Sequence, residues 1–148
     1  MQVILLIYLK TKFNMKRTLR LILGDQLNHQ HSWFTEKNDT TFYIMMEMRQ
    51  ETDYVHHHIQ KIIAFFTAMR AFSEHLREQG HQVIYLKLDD KNNTQSLTKN
   101  LDNYLQSLDI QHFEYQQPDE YRLDSQLKEF IKEHQFILEE SYSVLNIL

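Results

Sequence analysis

Residues 41–48 read Thr-Phe-Tyr-Ile-Met-Met-Glu-Met, apolar nearly throughout. A run so short and so unbroken has no face suited to water, so it fits a strand covered on both sides, as the strands of parallel sheets are. The chain supplies the cover. From about residue 54 to 79, Val55, Ile59, Ile62, Phe66, Met69, Phe72 and Leu76 recur every three or four positions, which predicts a helix, and Gly80 suits the left-handed cap that closes one. Further strands are predicted at 18–23, 82–88, 110–115 and 135–138, further helices at about 94–108 and 123–133, and a short helical turn at Trp33 and Phe34. This alternation predicts an α/β fold: a mostly parallel, five-stranded, doubly wound sheet, Rossmann-like or flavodoxin-like, with helices on both faces.

At 148 residues the chain has the length of one domain. Residues 15–140 are expected to form it. Residues 1–14 read as an extension without structure of its own, because Met15-Lys16-Arg17 directly precedes the first convincing strand. Residues 141–148 read either as a last strand pairing back into the sheet or as the start of a linker into a lost second domain.

The absence of cysteine excludes disulfides, iron-sulfur ligation and thiolate zinc sites within this chain and is compatible with a cytoplasmic location. Five basic residues give positions 1–20 a charge of +5, which leaves −9 for residues 21–148. Binding a polyanion takes clustered Lys and Arg, so no direct nucleic acid contact is expected. The run Val3–Leu9 is too short to span a bilayer and lacks a basic flank before it; no targeting signal and no membrane partner are expected.

With two glycines in the whole chain, neither the G-x-x-x-x-G-K-[ST] loop nor the G-x-G-x-x-G turn can be built. A ligand must be held by side chains. The strongest constellation is Gly24-Asp25-Gln26-Leu27, where an apolar strand runs into a glycine that lacks a clashing Cβ and tolerates positive φ. In a parallel sheet it shares an edge with Glu47 to Glu51 after the second strand and with Tyr54, His57 and His58 at the start of the long helix. Carboxylates, an amide, a phenol and imidazoles together suit hydrogen bonding to a heteroaromatic ring and a polyol tail. Phe65, off the main apolar stripe, could border such a ring. The competing reading makes these residues solvated loop and helix-start positions. Metal binding by His56-His57-His58 is not expected, since consecutive helical residues point about 100° apart. Asp25 and Glu51 could serve as acid and base in a light-independent small-molecule binder or enzyme, but neither has a partner visible in the sequence, and no catalytic residue is assigned.

The segments LILGDQL, EMRQETDYVHHHIQKIIAFFTAMRAF, GHQVIYLKLDD and QQPDEYRL resemble the N-terminal domain of the iron-sulfur bacterial cryptochrome and photolyase family, over about residues 16–138. That resemblance implies an antenna domain binding the chromophore 6,7-dimethyl-8-ribityllumazine. In the family the chromophore passes light energy to FAD in a larger helical domain that repairs pyrimidine photoproducts in DNA, as deoxyribodipyrimidine or (6-4) photolyases do. By matching motif, Gly24, Asp25 and Gln26 would line the lumazine pocket, Glu51, Tyr54 and His58 would contact ring or ribityl chain, and Phe65 would stand where the family pattern suggests an aliphatic side chain. The FAD-binding region and the four cysteines of the 4Fe-4S cluster have no counterpart here. The resemblance therefore implies a truncated or split product, working with a separate FAD-binding catalytic domain, or else an inactive remnant or interaction module.

Overall fold

The structure is a computed structural model that describes residues 1–13, 15–49, 59–134 and 140–144. Strand β1, Thr18–Leu21, pairs in parallel with β2, Thr41–Met46, on one side and with β4, His112–Gln116, on the other. Strand β3, Gln82–Leu86, lies outside β2, and β5, Glu140–Val144, lies outside β4. The order is β3-β2-β1-β4-β5, with every pairing parallel. Parallel neighbours need long returns rather than hairpins. Three of these returns contain helices: α2, Ile59–Glu78, α3, Leu97–Ser107, and α4, Tyr121–Glu133. The return from β1 to β2 is a loop with a 3₁₀ turn at Ser32–Phe34, begun where His31 Nδ1 accepts the Trp33 N–H at 3.1 Å.

Successive residues of a strand point to opposite faces, and β1 and β2 use this to feed two apolar clusters. Leu19, Leu21, Ile44 and Met46 join Phe113 and Tyr115 of β4, Leu101 and Leu105 of α3, and Leu127 and Phe130 of α4. Tyr43 and Met45, with Ile22 just past β1, meet Phe66, Met69, Phe72 and Leu76 of α2. Each such side chain, fully buried, contributes roughly 1.5–3 kcal/mol, and together they hold the helices on the sheet.

Local chemistry sets the ends of the elements. Gly80, at φ 90°, ends α2: its N–H bonds to the Arg77 carbonyl at 2.8 Å, and the His81 N–H bonds to that of Leu76 at 3.0 Å. These two bonds are the paired closure that a left-handed residue makes available. Strand β3 stops at Leu86 rather than at the expected Leu88, because the Leu88 N–H is taken at 2.8 Å by the carboxylate of Glu47.

The expected α/β class with a parallel sheet stands, and so does the adjacency of the first two strands on which the site depends. Four strands lie where the sequence places them. The fifth, expected at 135–138, falls outside the described residues, and the place beside β4 is held by Glu140–Val144. The start of the long helix, 54–58, also falls outside them. Within the segment read as an extension, Gln2–Phe13 is a helix, α1, on which Val3 to Leu9 are exposed. The run has no Gly or Pro to break it, and its Gln, Leu and Lys residues are good helix formers. Among the described residues no helix is long and apolar enough to cross a membrane.

Candidate functional site at the strand-order reversal

From β1 the chain returns to β2 on one side, whereas β4, on the other side, leads outward to β5. Loops leaving the carboxyl ends of β1 and β4 therefore part company, and at such a reversal open α/β sheets leave a crevice. Here it is a cleft of about 590 Å³, lined by the four residues from Asp25 to Asn28 and the four from Gln116 to Asp119.

Gln26 joins the two walls. Its Oε1 accepts the Leu23 N–H at 3.2 Å, and its Nε2 donates to the Gln116 carbonyl at 3.2 Å. Asp25 is exposed at the mouth and has no hydrogen-bond partner among the described residues. Leu27 lines the cleft and packs its other side on the α2 cluster.

Gly24 serves the site through close approach. A Cβ on it would overlap the Phe65 ring and come within 2.9 Å of Met69 Sδ. Positive φ, the other reason for a glycine there, is found at Gly80 and not at Gly24. Phe65 is thus half-buried against Gly24 and the α2 cluster and is not among the residues that line the cleft.

Glu47 has a different place. Its side chain is fully buried, and Arg70 of α2 grips both oxygens, Nε at 2.6 Å and Nη2 at 2.9 Å. The Tyr85 hydroxyl donates to it at 2.7 Å and the Leu88 N–H at 2.8 Å. Burial alone would raise this carboxyl, but the bonds from Arg70, Tyr85 and Leu88 outweigh it and hold the pKa below the ordinary value. Burial first, and then the same contact with Glu47, push the Tyr85 phenol up. With its oxygens so committed, Glu47 is a latch joining β2, β3 and α2 and offers nothing to a ligand. Asn93 extends the latch, donating to the Glu47 carbonyl at 2.8 Å.

Of the expected site residues, Gly24, Asp25, Gln26, Leu27 and Phe65 come together at the end of β1, and Glu47 is turned away into the latch. Glu51, Tyr54, His57 and His58 lie outside the described residues. The wall formed by Gln116, Gln117, Pro118 and Asp119 is absent from the residue-level expectation. Its loop character is signalled by Pro118, but its nearness to Asp25 depends on β4 pairing with β1, which no local pattern announces.

The walls offer carboxylates from Asp25 and Asp119 and amides from Gln26, Asn28, Gln116 and Gln117, with no Lys or Arg among the described lining residues. The one cation on β1, Arg20, is spent elsewhere: Nε donates to Glu114 Oε2 on β4 at 2.6 Å, and Nη1 to the Tyr43 hydroxyl at 3.1 Å. A ligand of many hydroxyl and ring N–H groups suits such walls.

Residues 20–143 match the family model described as deoxyribodipyrimidine photo-lyase-related protein. The chain is also similar to a (6-4) photolyase of Agrobacterium fabrum (strain C58), 36% identical over 115 residues, which cover 76% of this chain and 22% of that protein. The matched region thus corresponds to about a fifth of the length of that relative. A family match across most of the chain, together with that relative, places it: the chain belongs to the deoxyribodipyrimidine photo-lyase-related protein family.

Proposed function

We propose that this chain is a light-harvesting antenna module of a photolyase-related DNA-repair flavoprotein, holding a lumazine-like chromophore at the carboxyl ends of β1 and β4. The observation that carries this reading is the cleft of about 590 Å³ at the strand-order reversal, walled by side chains that bond hydroxyls and ring nitrogens. Its size suits a bicyclic ring with a five-carbon chain. Asp25 and Gln26 would bond the chromophore, Leu27 and Phe65 would bound its ring, and Glu51, Tyr54 and His58 are the further contacts that the family resemblance implies. The chromophore proposed is 6,7-dimethyl-8-ribityllumazine. FAD, an iron-sulfur cluster and photoproduct repair would belong to a catalytic part of a longer relative or to a separate partner, since the matched segment is 22% of the (6-4) photolyase.

The test is direct titration of the purified chain into 6,7-dimethyl-8-ribityllumazine, followed by fluorescence anisotropy. Saturable binding at micromolar protein, weakened by Asp25→Ala, is expected; free-chromophore anisotropy throughout would sink the assignment. One observation favours a second reading, a remnant or interaction module without a small molecule: the Phe65 ring already occupies the space against Gly24. Phe65→Ile decides between them, because under the antenna reading it deepens the pocket and tightens binding, and under the second it changes nothing.

A further inference from the structure

The charge on the cleft walls is one-sided. Asp25 and Asp119 are both exposed, and neither has a hydrogen-bond partner among the described residues. Among the described residues the remaining polar lining is amide, and no lining residue is Lys or Arg. A helix N-terminus can compensate for missing cations, since its open N–H groups attract anions. The N-terminus of α4 follows directly on this wall, yet it carries Asp119 before it and Glu120 at its cap. Asp124 in its first turn is paired with Lys128 at 2.6 Å and Arg122 lies in the same turn, so the negative charge at that end rests on Asp119 and Glu120. Arg20, the cation on β1, is held by Glu114. Residues 21–148 carry −9 in all, so the wider field has the same sign as the walls.

We infer that the cleft selects its ligand by refusing phosphate: it takes a ring bearing an uncharged polyol chain and discriminates against the phosphorylated form, with Asp25 and Asp119 as the residues that discriminate. This rests on the proposed chromophore site. A hydroxyl at the end of the chain can donate to a carboxylate, whereas a phosphate dianion has no proton to give at neutral pH and is repelled by it. The fold would thereby separate free ribityl compounds from their phosphate esters, which share the same ring.

The matched probes are 6,7-dimethyl-8-ribityllumazine and its 5′-phosphate, titrated with the full chain by fluorescence anisotropy. The phosphate ester is expected to bind at least about tenfold more weakly at low salt, with the gap narrowing in about 0.5 M NaCl as the carboxylates are screened. Asp119→Asn and Asp25→Asn should each narrow the ratio of the two affinities; both lie at exposed positions, so folding is not at stake. Equal or tighter binding of the phosphate ester overturns the inference and leaves the antenna reading standing. A ratio unmoved by either substitution overturns the assignment to these carboxylates. No binding of either probe overturns the antenna reading, and this inference with it.

Discussion

A methyl group added at Gly24 would fall where the Phe65 ring already lies and within 2.9 Å of Met69 Sδ, so these packed side chains would have to shift. Gly24→Ala is therefore expected to destabilise the chain by about 1–3 kcal/mol, the usual cost of overpacking, as read from urea unfolding. Phe65→Ala in the same background should restore part of the loss. The glycine was visible in the sequence as a special position; the reason for it was not, because the clash involves a residue some forty positions further along. Glu47 teaches the converse. A carboxylate at the end of a strand reads as a ligand contact, yet only the arrival of Arg70, Tyr85 and the Leu88 N–H makes it structural. Glu47→Gln keeps an acceptor but discards the charge, and should lower stability by about 2 kcal/mol near neutral pH, less than a wholly buried pair because Arg70 is 48% exposed.

Elements were legible where periodicity and punctuation agreed. The α2 stripe and Gly80 together announce a helix and its end, and the helix closes at Gly80 as they require. Alanine at Gly80 would have to hold φ at 90°, so Gly80→Ala should reduce the midpoint of thermal unfolding, at about 1–2 kcal/mol of stability. At the start of α3, Ser96 accepts the Lys99 N–H at 3.4 Å, a long cap bond. Ser96→Ala is accordingly expected near the low end of cap losses, about 0.5 kcal/mol. What local pattern could not supply was neighbourhood: the loop after β4 was recognisable as a loop, but only the sheet order sets Asp119 across from Asp25. The strand beside β4 falls in the segment whose sequence allows a last strand pairing back into the sheet, and a short edge strand of this kind is defined by its pairing with β4 more than by its own composition.

For the molecule as a whole, two buried groups shape the response to acid. His81, packed edge-on to Phe34 and Tyr43, has its pKa lowered from 6.5 by burial first and then by Lys37 and Arg20. The folded state resists protonating it, so stability present above pH 6.5 is lost as the pH falls below that value. The Glu47 carboxyl is also lowered, from 4.5, so a second loss begins below pH 4.5 as the unfolded chain takes up the proton first. Urea midpoints measured from pH 8 to pH 3 should show both declines; His81→Asn should remove the first and Glu47→Gln the second. Saturating chromophore would act on the same global equilibrium, adding about 2.7 kcal/mol at a hundredfold excess over Kd. The double tether of Gln26 has an optical meaning for such a complex. Radiationless transfer from a donor to a flavin depends on the angle between their transition dipoles, and walls joined by the Gln26–Gln116 bond would narrow the range of that angle. A chromophore seated there would keep its polarisation through the excited-state lifetime, so the geometry of the floor would govern how efficiently light reaches a partner.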